Sequence, residues 1–178
     1  MKKLLFLIPL LVWSVAATAQ EKKIPQRLQL AEVEINDGAV SLEVFNMPKD
    51  SVNNYYLSVG TLGIGDDVIQ INFDPLFELF IPLGETLTDA MIALQQMQGL
   101  YKTSPGTFME VQGCLAPAFP NDKLEPVKVT YRRFLVSKLL EFSVQREGYI
   151  RATHIPKTDF GALVTSMKLY RKIHPNEL

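Results

Sequence analysis

Alternation of apolar and polar positions with period two dominates the chain beyond its first twenty residues. In "AVSLEVF" the residues Val40, Leu42 and Val44 share one face while Ser41 and Glu43 point to the other, the mark of a strand with one side on a core. "LQLAEVEI" precedes it through Asn36-Asp37-Gly38, residue types that tolerate positive φ and so favour a tight hairpin. Leu28 and Leu30 fall out of phase with Val33 and Ile35, which predicts a bulge near Ala31-Glu32. A second hairpin is expected where Tyr55, Leu57 and Val59 alternate, Gly63 and Gly65 flank a turn, and Ile69, Ile71 and Phe73 alternate on the return. Val127, Val129 and Tyr131, then Leu140, Phe142 and Val144, continue the pattern before "REG" turns the chain into "YIRATHI".

One segment departs from this period. "TLTDAMIALQQMQG" sets Leu87, Ala90, Met91, Leu94 and Met97 on one helical stripe, so a helix is predicted near 86–98. Thr86 caps its first turn with Asp89 three residues on, and Gly99 suits the residue past its end. The helix is expected to lie across the sheet or to plug one end of a barrel. The last segment is ambiguous: "DFGALV" reads as a short helical turn from Asp159, and the alternation of Met167, Leu169 and Ile173 reads as a closing strand. The sum is an α+β domain, an antiparallel meander of eight to ten strands, sheet or barrel-like, with one substantial amphipathic helix.

The first residues change the compartment. Lys2 and Lys3 precede the apolar "LLFLIPLLVWSVAA", and Ala17-Thr18-Ala19 offers the small residues a signal peptidase needs. Residues 1–19 therefore read as a cleaved secretory signal of bacterial style, with 20–178 a single mature domain that carries no transmembrane anchor. The expected address is the periplasm, the cell surface or the medium. Charge is unevenly placed: residues 20–110 carry 5 Lys or Arg against 13 Asp or Glu, and residues 111–178 carry 11 against 6. Within one domain such halves complement each other across strands. A mildly acidic exported chain without a binding motif is a poor partner for nucleic acid.

Candidate chemistry is sparse. Cys114, in "VQGCLAPAFPND", is the single cysteine, so it can form no disulfide within the chain, and lipid anchoring would need it directly after the cleavage site. As a nucleophile it would need a base to take its proton; His154 is the better placed of two histidines, with Asp159 to orient it. No helix start follows "GCLAP" to stabilise a thiolate, so a buried cysteine acting as a small apolar residue is the favoured reading. No G-x-S-x-G elbow is present, two distant histidines are a poor zinc supply, and the glycines of "GTLGIG" sit between strands rather than before a helix. Asp66, Asp67, Asp74, Glu78 and Glu85 lack calcium-loop spacing and read as solvated turn carboxylates. Arg132, Arg133 and Lys138 read as a charged edge that discourages sheet-to-sheet pairing.

The remaining signal is apolar surface. Tyr55 and Tyr56 stand together in "NNYYLSV", and "DPLFELFIPLG" is unusually apolar for a connector. Tyr55, Tyr56, Phe77 and Phe80 are thus the expected ligand contacts, unless the segment is a strand buried on both faces beneath the helix. The leading expectation is an exported, non-catalytic binding module for a small ligand, a glycan or an envelope protein, with no metal or cofactor. The alternatives are a small exported hydrolase using Cys114 with His154 or a carboxylate pair, and an assembly component whose acidic half docks a neighbour's basic half.

Overall fold

The computed structural model describes residues 26–35, 38–46, 53–60, 78–116, 119–121, 123–146 and 149–175. The expected leader at 1–19, the expected turn at 36–37, the expected hairpin return at 69–73, and Asp66, Asp67, Asp74 and Phe77 lie outside the described residues. Among the described residues, eight antiparallel strands follow one another in space in chain order: β1 Gln26–Ile35, β2 Gly38–Asn46, β3 Asn53–Val59, β4 Glu78–Gly84, β5 Phe108–Ala116, β6 Glu125–Phe134, β7 Ser137–Arg146 and β8 Tyr149–Pro156. Two helices among the described residues join the α+β meander, α1 Leu87–Gly99 between β4 and β5, and α2 Lys157–Ile173 after β8. Neither is long and apolar enough to cross a membrane.

Local chemistry accounts for most of these elements. The β1–β2 register shifts between Gln29 and Ala31, which brings Leu28, Ala31 and Val33 opposite Val44, Leu42 and Val40 and corrects the phase of the strand. Thr86 Oγ1 accepts the Asp89 N–H at 3.1 Å and donates to the Asp89 carboxylate at 2.7 Å, closing the start of α1. Leu87, Ala90, Met91, Leu94 and Met97 are its buried stripe.

The C-terminal segment corrects the expectation of a closing strand. It is one continuous helix of 17 residues in which Phe160, Leu163, Val164 and Met167 are buried, while Leu169 and Ile173 are exposed. Spacing of three and four residues, not two, decides it, and Asp159 near its start and Arg171 and Lys172 near its end suit the helix dipole. Three further corrections follow. The second partner of β3 is β4, through Leu57–Ile81 and Val59–Leu79. Arg132, Arg133 and Lys138 belong to the β6–β7 hairpin in the interior of the strand order, not to a sheet edge. Ser41 and Glu43, expected to face water, are buried.

The main core fills one face of the sheet. Val40, Leu42, Leu57, Leu79, Ile81, Val127, Val129, Leu140, Phe142 and Ile155 meet the buried stripes of both helices. Tyr101, in a single 3-10 turn after α1, donates its hydroxyl to the Ile155 carbonyl at 2.9 Å. Burial and the nearby Asp159 charge hold that phenol well above its ordinary range. Helix α2 packs against β1 at one end of the strand order and against β7 and β8 at the other. Gly113 marks the division of the sheet: residues 108–113 of β5 pair with β6, and residues 114–116 pair with β4. A Cβ at Gly113 would run into the Val127 side chain and crowd Leu79 at 3.2 Å, so a larger residue there forces its neighbours to shift.

Candidate functional site

The face turned away from the helices carries a second, smaller core of Phe45, Phe80, Cys114 and Ala116, with Tyr56 packed against it. Strand alternation puts them there. Phe45 lies on the same face as Ser41 and Glu43, Tyr56 faces Glu43 across the β2–β3 ladder, and Ser58 faces Phe80 across β3–β4. The rings of Phe45, Tyr56, Phe80 and Phe119 meet edge to face, with centroids 5.3 to 6.3 Å apart.

Charge is built into this apolar wall. The Arg27 guanidinium bonds both oxygens of Glu43, one through Nε and one through Nη2 at 2.6 Å. It also donates to both oxygens of Glu78, at 3.1 and 3.2 Å. Ser41 Oγ donates to Glu43 at 2.5 Å, and the Glu43 side chain is 0 % exposed. The guanidinium carbon stands 5.8 Å from the ring centres of both Phe45 and Phe80. Burial opposes the charge on Arg27, but the hydrogen bonds it donates to Glu43 and Glu78, with the charges of those carboxylates, outweigh it and hold the guanidinium above its ordinary value. A charge deprived of water is tolerated only when it is paired and hydrogen-bonded, and this arrangement meets that condition for Glu43.

The sequence-predicted residues divide. Tyr56 and Phe80 come together on the outer face, whereas Tyr55 is buried on the helix side with the main core. Cys114 is fully buried; its thiol donates to Asn121 Oδ1 at 3.1 Å and accepts the Asn121 N–H at 3.2 Å. His154 lies on β8 beside Glu141, 3.2 Å away. The registers set His154 level with Glu141, Thr130 and Phe108, six residues along β5 from Cys114 and three strands across. That separation is about 20 Å along the strand and about 14 Å across it, so the two do not meet. Asp159 accepts from Thr158 on α2 and belongs to the helix side. Among the described residues no group of three or more His, Cys, Asp or Glu is placed to hold a metal ion.

Arg27, Ser41, Glu43 and Phe119 are the members that the sequence pattern did not single out. Glu43 sits in strict alternation, where a polar residue ordinarily faces solvent. The available signal was Phe45, an apolar residue in phase with Ser41 and Glu43. The chain matches no known family model, no curated protein and no solved structure.

Proposed function

We propose that this chain is an exported, non-catalytic binding module of the bacterial envelope or extracellular space, which takes a small glycan-like ligand on its outer aromatic wall. The observation that carries the reading is the joining of partly open rings, Tyr56 and Phe119, to a fixed carboxylate, Glu78, and an amide, Asn121. Sugar recognition uses ring faces for the apolar side of a pyranose and rigid polar groups for its hydroxyls. Arg27 holds Glu78 in place before a ligand arrives, which reduces the ordering cost of binding.

The test is a calorimetric and thermal-shift comparison of oligosaccharides, peptides and lipids. An oligosaccharide that raises the midpoint, and whose affinity drops at least tenfold in Tyr56→Ala, supports the proposal. Stabilisation by peptides alone would remove the glycan from it. The hydrolase alternative draws support from the convergence of Glu43 and Glu78 on Arg27, which sets two carboxylates around one guanidinium. Glycoside hydrolysis that disappears in Glu78→Gln would favour that alternative over binding alone.

A further inference from the structure

The hairpin between β6 and β7 ends in Phe134, Leu135 and Val136, which are 70, 81 and 91 % exposed. Two-residue turns favour Gly, Asn, Asp and Ser, because the backbone must enter the left-handed region and the side chains meet water. Leu135 has φ 53°, the single positive φ at a non-glycine among the described residues. The chain therefore holds a branched apolar residue in a strained conformation and in solvent together, and no packing among the described residues recovers either cost.

Basic side chains stand behind the tip, with Asp159 and Glu141 as acidic residues further back on the same end. Arg133 faces Lys138 one rung behind the Phe134–Ser137 pair, and the Arg133 Nε donates to the Leu135 carbonyl at 3.4 Å. Arg132 follows on the next rung, bonded to Glu141 at 2.9 Å. The same end of the sheet carries Lys157, next to Pro156, which pairs with Leu139. It also carries Lys102, just before the loop whose Gly106 and Thr107 bond Tyr131.

We infer that this hairpin tip docks on an anionic phospholipid surface, with Phe134, Leu135 and Val136 entering the acyl boundary and Arg133 and Lys138 meeting lipid phosphates. The dimensions agree. A strand advances about 3.4 Å per residue, so the basic rung stands roughly 3 to 7 Å behind the apex. The headgroup zone of one leaflet is about 6 Å deep. Apolar insertion with basic neighbours is the combination that holds a peripheral protein on charged lipid. This surface is separate from the aromatic wall, and it stands or falls independently of the glycan proposal.

The experiment is flotation with phosphatidylglycerol vesicles and, in parallel, phosphatidylcholine vesicles, using the chain from Gln20. Every described element lies after residue 25, and the apolar leader would itself enter lipid. That chain lacks Trp13, the one tryptophan, so Phe134→Trp supplies a single fluorescent reporter. The expected result is flotation with phosphatidylglycerol and a blue shift of the indole emission of Phe134→Trp on mixing. Flotation is expected to weaken about fivefold for each of Arg133→Glu and Lys138→Glu, and further in high salt. The decisive variant is Leu135→Gly with Val136→Ser, which gives the turn its preferred residues; it should melt no lower than the parent yet bind at least tenfold more weakly. Absence of flotation with phosphatidylglycerol overturns the inference, as does undiminished binding by the Gly-Ser variant. A dimer in sizing chromatography that this variant abolishes would overturn it too, by making the tip a contact between copies of the chain.

Discussion

Glu43 and Glu141 stand on the same face of one sheet, each beside an arginine, and their circumstances are opposite. Glu43, in the β1–β5 half, is withdrawn from water and held by Arg27 and Ser41 beneath an aromatic wall. Glu141, in the β5–β8 half, is partly exposed between Arg132 and His154, on a face of charged side chains where Lys128 lies 4.1 Å over the ring of Phe108. Alternation in sequence is the same in both halves. What separates them is aromatic residues: Phe45, Tyr56, Phe80 and Phe119 cover one half, and nothing comparable covers the other among the described residues. An ion pair becomes a structural requirement when apolar neighbours remove its water, and stays a surface ornament when they do not.

The contrast is tested first at its strong end. Arg27→Met leaves the Glu43 carboxylate buried with a serine as its remaining partner and should cost about 3–5 kcal/mol in chemical denaturation. Combining it with Glu43→Leu should recover most of that loss, since the isolated charge is then gone. A cost below about 1 kcal/mol for the single variant would place Glu43 in the same class as Glu141.

Next in size is the boundary between the halves. Gly113→Ala brings a methyl group against Val127 and Leu79 where β5 changes partners. It should lower stability by about 1–3 kcal/mol, and a neutral result in a urea titration would mean that the two half-sheets yield to each other freely.

The exposed half should respond weakly. Burial raises the Glu141 carboxyl, but Arg132, and then His154, bring it below its ordinary value near 4.5. A depressed carboxyl stabilises the folded chain above the unfolded pKa, and that contribution is lost as pH falls through the folded value. The wild type should thus lose slightly more stability than Glu141→Gln on acidification from about pH 5 to about pH 3, by less than about 1 kcal/mol. Identical acid profiles would show that the pair adds nothing.

The smallest effect comes from two hydroxyls, one in each half. Ser58 Oγ and Thr130 Oγ1 are buried without a hydrogen-bond partner. Removing an unsatisfied donor of this kind is near neutral, so Ser58→Ala and Thr130→Val should change the thermal midpoint little or raise it. A loss from Ser58→Ala alone would indicate a polar contact special to the covered half.

The elements that were legible in the sequence share one property: their signals are local. The pairing of β1 with β2, the bulge between Gln29 and Ala31, the Thr86 cap and the α1 stripe each rest on residues that lie close together in the chain. Leu79, Phe80 and Ile81 are buried on both faces of β4, as consecutive apolar residues beside a helix should be. Helix α2 was obscured because Met167, Leu169 and Ile173 mimic a strand, although Phe160, Leu163, Val164 and Met167 carried the longer period. The outer wall was hidden for another reason. Burial of Glu43 depends on Arg27 and Glu78, 16 residues before it and 35 after, and no local period reports such a meeting. Cys114 shows both outcomes, since a small apolar role was readable while its hydrogen bonds with Asn121 were not.

Helix α2 seats its buried stripe against the first strand as well as the last two. Long-range closure of that kind delays the rate-limiting step of folding until distant parts of a polypeptide are simultaneously present. A ribosome that has reached β8 has made the whole sheet but not the piece that joins its ends. Removing α2 should therefore leave a product that proteases clear rather than a smaller domain.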